Sequence, residues 1–171
     1  SSIPDGFQLN ADRSSMTGVI DAASNDQAII VNTYNPVGTD GRNVTVDVTK
    51  TITGNRTHWL NGESYSFEVK RDNITVSQFT IDNNDTDKRS LLQLTSEDYL
   101  KAGTYHYTIS EVKGNVGGIT YDTAERRFSV VVADADMDGR LEITAVNNEA
   151  YTTVTKQGNN FNVSANFNNV Y

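Results

Sequence analysis

Alternation of apolar and polar side chains returns along this chain at 44–50, 64–70, 76–81, 105–112, 127–133, 140–146, 150–155 and 161–171. A period of two puts every second side chain on one face, which suits a half-buried β-strand and does not suit a helix. Turn formers separate these stretches. Asn61-Gly62, Asp138-Gly139 and Gln157-Gly158 are the clearest breakers, and Gly117-Gly118 marks a loop. Many short strands at such spacing predict an all-β fold, an immunoglobulin-like β-sandwich. Only Ser96 to Gly103 reads as a helical turn, with Ser96 as N-cap, acids in the first turn and Gly103 as its stop.

With 171 residues, 36% of them hydrophobic, the chain can build one good core, or one domain and part of another. Its 8 Tyr and 6 Phe, abundant Thr and Val, and only 2 Pro agree with strands. A net charge of -8 argues against a nucleic-acid surface, which needs concentrated Lys and Arg. The absence of cysteine excludes disulfides, zinc-thiolate sites, cysteine nucleophiles and internal thioesters. No apolar run approaches the ~18 residues that cross a bilayer, so no membrane contact is expected in this fragment. Ser1-Ser2-Ile3-Pro4 does not begin like a signal peptide, and both ends read as cut points.

Against the alternation, three polar side chains fall on inward positions. Lys50 shares a face with Val44, Val46 and Val48, Glu111 shares one with Tyr105, Tyr107 and Ile109, and Asn169 lies in line with Phe161, Val163, Ala165 and Phe167. The same parity selects Asn169 over Asn168. Singly, each has an ordinary explanation: a strand-end lysine snorkels to water, a glutamate caps a sheet edge, an asparagine sits in a turn. Three inward polar groups on three strands would together carry a desolvation cost of several kcal/mol. They are also the ingredients of a Lys-to-Asn isopeptide bond.

In water the amine is protonated, the carboxamide is a poor electrophile, and the two do not react. Burial disfavours the charged forms of a buried amine and a buried acid alike. A neutral Lys50 could then attack the side-chain carbonyl carbon of Asn169, with Glu111 polarising the carbonyl by a hydrogen bond and shuttling a proton to the departing ammonia. Holding the partners in contact supplies an effective molarity of about 10⁵ to 10⁸ M, enough for one slow turnover after folding. No cofactor is needed.

Ordered motifs now carry a resemblance. Leu60-Asn61-Gly62-Glu63-Ser64-Tyr65-Ser66-Phe67-Glu68-Val69 looks like a strand of the form aGeFtFeL, and Gly103-Thr104-Tyr105-His106-Tyr107-Thr108-Ile109-Ser110-Glu111-Val112 like GtYtYtIsEv. Gly118-Ile119-Thr120-Tyr121-Asp122, Asp138-Gly139-Arg140-Leu141 and a final Phe-x-Asn-x-Tyr come after them in order. Together they resemble the isopeptide-linkage domain of streptococcal-type major pilins, related to the B-type repeats of collagen adhesins. The resemblance spans about residues 43–171. It implies a structural shaft or stalk module on the cell wall of a Gram-positive bacterium, with adjacent modules or subunits as partners. It also implies the same roles for Lys50, Glu111 and Asn169. An adhesin domain recognising a host protein or glycan is the alternative. A sugar-active enzyme would need paired exposed carboxylates in a cleft, and the inward parity of Glu111 points away from that.

Ile30-Val31-Asn32-Thr33-Tyr34 repeats the apolar-x-Asn-x-Tyr form of Phe167–Tyr171, and Asn35-Pro36-Val37-Gly38-Thr39-Asp40-Gly41 after it reads as a linker. Residues 1–34 are therefore expected to be a preceding module's tail or an N-terminal extension, 35–42 a linker, and 43–171 the isopeptide-forming domain. Asn32 would be the acceptor of that preceding module. Lys156, expected in a loop before the last strand, is the one candidate for a sortase-acceptor amine, although no pilin-lysine motif or C-terminal sorting signal is recognisable. Asp134, Asp136 and Asp138 open a D-x-D-x-D-G pattern like that of a calcium loop. Its twelfth position is Ala145, which offers no bidentate carboxylate, so an acidic hairpin turn is expected instead. His58 and His106 are too few for a transition-metal cluster.

Overall fold

The computed structural model describes residues 5–10 and 30–171. Most of the expected preceding-module tail, residues 1–34, lies outside the described residues. The eight alternating stretches become strands, and three further strands lie outside them: β1 (Phe7–Leu9), β2 (Asn32–Tyr34), β3 (Thr39–Thr53), β4 (Ser64–Arg71), β5 (Ile74–Asp82), β6 (Arg89–Tyr99), β7 (Gly103–Val112), β8 (Arg126–Ala133), β9 (Glu142–Ala150), β10 (Thr152–Gln157) and β11 (Asn160–Val170), the three being β1, β2 and β6. Among the described residues the helical content is one 3₁₀ turn, Thr86–Lys88.

Two sheets form the sandwich, one in the order β10-β11-β3-β6 and the other β5-β4-β7-β8-β9. Val44, Val46 and Val48 of β3 and Val163, Ala165 and Phe167 of β11 turn inward from the first sheet. Tyr65, Phe67, Val69, Tyr107, Ile109, Phe128 and Val130 meet them from the second. Each such aliphatic or Phe side chain contributes about 1.5–3 kcal/mol by leaving water. The first and last strands of the sandwich are neighbours: β11 runs parallel to β3, with Val44 opposite Phe161 and Thr53 opposite Val170.

Two expectations change. The helical turn at 96–103 is not formed; Ser96 to Tyr99 finish β6 and Gly103 opens β7. Glu97 and Tyr99 are buried there, Glu97 accepting from the Tyr107 hydroxyl at 2.9 Å and pairing with Arg71 at 2.6 Å. The acids that suggested a helix start were thus spaced for a strand with one inward carboxylate. Residues 39–42 of the stretch expected as linker already belong to β3. Ahead of them the chain is pinned, with the Val37 N–H bonded to the Gly139 carbonyl and the Leu141 N–H to the Val37 carbonyl.

Candidate cross-linking site

Parity in β3 carries Lys50 inward, and the side chain ends in the core with the residue 1% exposed. Glu111 arrives from the facing sheet, where β7 pairs with β4 and places it opposite Phe67. Asn169 comes from β11 and is fully buried. The three meet at one carboxyl. Lys50 Nζ donates to Glu111 Oε2 at 2.9 Å, and Asn169 Nδ2 donates to Glu111 Oε1 at 2.7 Å. Both side chains of the ion pair are completely shielded from solvent. Tyr65, whose ring centroid is 5.1 Å from Nζ, and the Phe67–Phe167 edge-to-face pair wall the site.

Burial lowers the Lys50 amine below its ordinary range, and the Glu111 carboxyl offsets part of that shift. The Asn169 carbonyl is not held by Glu111 as expected from sequence. Its Oδ1 accepts the main-chain N–H of Asp122 at 2.8 Å. Since a main-chain N–H can only donate, this bond fixes the amide orientation: oxygen toward Asp122, nitrogen toward Glu111. The Asn169 carbonyl is thus polarised from the Asp122 side, and its amide nitrogen rests on the Glu111 carboxyl.

Sequence reading did not single out Asp122 or Arg126 for this site. The Asp122 carboxylate accepts from Arg126 Nη2 at 2.6 Å and from the Asn168 N–H at 3.0 Å. Burial alone would raise that carboxyl, but Arg126 and the main-chain N–H groups of Asn168 and Ala124 outweigh it and bring it down to about 2. Arg126 has the same inward parity as Phe128 and Val130, a signal that was present in the sequence.

The other candidates lie elsewhere. Asn32 is exposed in β2, opposite Leu9. Lys156 is not in a loop but in β10, exposed, with Nζ 5.0 Å from the Phe161 ring centroid. It borders a groove that also includes Asp40, Asp98 and Glu142. The carboxylates of Asp134, Asp136 and Asp138 approach within 4.8 Å of one another. Asp134 is engaged by the N–H groups of Asp138 and Gly139 at 3.0 and 2.9 Å and by the Tyr34 hydroxyl, which is how a hairpin turn closes on its own side chain. His106 pairs with Glu149 on the surface.

A buried Lys–Glu–Asn set between the two sheets of an all-β sandwich is an arrangement suited to an isopeptide-type domain. The family model described as Spy0128-like isopeptide containing domain (FctA) matches residues 46–171, and the chain belongs to that family. Among solved structures it is similar to the major pilin from Streptococcus pyogenes in a mutant form, at 18% identity and TM-score 0.49, over 80% of this chain and 51% of that one. The T-13 major pilin of the same organism gives 18%, 0.48, 80% and 54%, and the T3.2 major pilin 23%, 0.46, 75% and 54%. The chain spans about half the length of these pilins. No curated protein matches the sequence significantly.

Proposed function

We propose that this chain closes an intramolecular amide bond between Lys50 and Asn169, assisted by Glu111, and serves as a self-stabilised shaft or stalk module on a Gram-positive cell surface. The observation that carries this is the single buried carboxyl bound to both partners, Nζ at 2.9 Å and Nδ2 at 2.7 Å. Glu111 takes a proton from Lys50. The neutral Nζ attacks Asn169 Cγ, the carbonyl π electrons move to Oδ1, and the tetrahedral adduct collapses by breaking the Cγ–Nδ2 bond. Glu111 passes that proton to Nδ2 and takes a second one from the now cationic Nζ, so Nδ2 leaves as ammonia while Oδ1 re-forms the carbonyl. One ammonium, one carboxylate and one carboxamide thus give one substituted amide, one protonated Glu111 and one ammonia. Only this one intramolecular turnover is proposed; no outside substrate is transformed.

Such a bond closes nearly the whole domain into a ring, worth about 5 kcal/mol on the chain-entropy account. Its mechanical effect is larger. Tension that enters β3 and leaves β11 would pass from Lys50 to Asn169 and bypass the hydrogen-bonded sheets. An amide, unlike a disulfide, is not reducible, which suits a chain without cysteine. In the same reading residues 1–34 are the tail of a preceding module and 43–171 the cross-linked one, with neighbouring modules or subunits as partners. Asn32, whose lysine would lie outside this chain, stays an ordinary asparagine.

Intact mass of the unfolded protein tests the proposal. The chain should be lighter than its sequence by one ammonia, and Glu111→Ala should restore the full mass. A wild-type chain of full mass after prolonged incubation would sink it.

A further inference from the structure

The carbonyl of Asn169 is aimed by a part of the chain that contributes nothing to the amine or the acid. Between β7 and β8 the loop of residues 113–125 turns back over the end of β11. Thr120 and Val170 exchange main-chain hydrogen bonds at 2.7 and 3.0 Å. Gly118, at φ +76°, lies so close to Tyr171 that a Cβ there would sit 2.7 Å from the ring. This docking carries the Asp122 N–H to Asn169 Oδ1.

A second set of bonds holds Asp122 itself. Its carboxylate accepts from both terminal nitrogens of Arg126, at 3.0 and 2.6 Å, and from the Ala124 and Asn168 N–H groups, at 3.1 and 3.0 Å. Arg126 also donates Nε to the Asn166 carbonyl at 3.0 Å, and its guanidinium lies 4.0 Å from the Phe167 ring centroid. Arg126 therefore grips β11 just before the acceptor, and Asp122 grips it at the residue next to the acceptor. A buried guanidinium paired with a partly buried carboxylate carries a desolvation cost that closing a surface loop does not require. The cross-linking chemistry accounts for them. As Nζ attacks, negative charge gathers on Oδ1, where the Asp122 N–H already points.

Resting on the reading that Lys50 and Asn169 condense, we propose that Asp122 and Arg126 form a clasp that aims the Asn169 carbonyl and delivers the Asp122 main-chain N–H as the oxyanion donor. The two side chains are positioning groups, and bond formation waits until the 113–125 loop has docked on β11. The cross-link is then a late event that reports completed folding.

Ammonia loss over time, measured by intact mass in the full-length chain made by cell-free translation, tests the clasp. Wild type should lose one ammonia. Asp122→Ala and Arg126→Ala should slow that loss on the order of 10²-fold, as removal of an oxyanion donor does, and Arg126→Lys should be intermediate. The pH at which the rate is half-maximal should move in opposite senses, down in Asp122→Ala and up in Arg126→Ala, because the two charges act on the Lys50 amine in opposite directions, whereas both variants should lower the maximal rate. Dilute guanidinium, but not ammonium, should restore part of the Arg126→Ala rate. Clasp variants that react at the wild-type rate overturn the clasp alone; a wild type that never loses ammonia overturns the underlying cross-link. Should the alanine variants fail to fold, hydrogen exchange in full-length Glu111→Ala decides. The Asp122 amide should be as protected as those of β3, and exchange at the rate of an exposed loop overturns the clasp.

Discussion

Lys50 and Asn169 are not register partners: Phe167 stands opposite Lys50, and Asn169 stands opposite Ile52, two residues further along β11. The two side chains share a face but meet on the diagonal, where neighbours are about 7–8 Å apart at the backbone. A lysine has the reach for that diagonal. The offset also leaves room for the Glu111 carboxyl to bind both groups.

Acceptor position should therefore not be transferable. A chain carrying Phe167→Asn together with Asn169→Ala places a carboxamide directly opposite Lys50 but away from the Asp122 N–H. Intact mass is expected to remain that of the uncross-linked chain, and recovery of ammonia loss would refute the diagonal geometry.

Loss of the bond and loss of the acid should be separable in denaturant. Asn169→Ala forfeits the ring closure, about 5 kcal/mol, while leaving the Lys50–Glu111 pair intact. Glu111→Ala forfeits the same closure and strands a buried ammonium, a further cost of about 3–5 kcal/mol. Urea unfolding should rank wild type above Asn169→Ala, and Asn169→Ala above Glu111→Ala.

Cross-linking rate should rise with pH. Burial lowers the Lys50 amine, so its reactive neutral form appears at lower pH than for an exposed lysine. Time courses of ammonia loss from pH 5 to about 9 should accelerate as Lys50 sheds its proton. A rate that falls over that range contradicts the role of the neutral amine, whereas a flat one means that the amine is neutralised by transfer to Glu111 alone and not by loss of a proton to water.

Acid should loosen the uncross-linked fold through two carboxylates. The bond to Arg126 and neighbouring N–H groups brings Asp122 down to about 2 against the pull of burial; Arg56 does the same for Glu63. Folded values below the unfolded ones mean that this stability is fully present above about pH 4–5 and is lost as pH falls through 2. Each contributes up to about 2–3 kcal/mol by linkage. In the Asn169→Ala background the urea midpoint should fall across that window, and Asp122→Asn should flatten the fall.

Tyr107→Phe should cost stability without touching the cross-link. Its buried hydroxyl bonds the Tyr99 hydroxyl at 2.7 Å and Glu97 at 2.9 Å, and removing it leaves those groups short of a partner, about 1–3 kcal/mol. Denaturation of Asn169→Ala with and without Tyr107→Phe measures this. In the wild-type background the mass should remain that of the cross-linked chain.

Period-two geometry made the inward polar residues legible in the sequence. Lys50, Glu111 and Asn169 were each visible as a polar group on an apolar face. β6 was less visible because its inward parity changes within the strand: Ser90, Leu92 and Leu94 lean inward, then Glu97 and Tyr99. The pairing with β3 shifts register at the same place, and Gly41 there lets the backbone approach Leu94, whose carbonyl would lie 2.3 Å from an added Cβ. The donor to Asn169 was invisible for a different reason. It is a main-chain N–H, carried by every residue but proline, and only the docking of a loop onto β11 gives it a role.

The parallel pairing of β3 with β11 has one more consequence for a chain closed at Lys50 and Asn169. Residues 51–168 become a bight in the rope, tied off at its neck. A protease that nicks the turn around Asp136–Asp138 would cut the polypeptide yet release nothing, since the segments before position 50 and beyond position 169 stay fastened to each other. Shedding would demand a cut outside the knot.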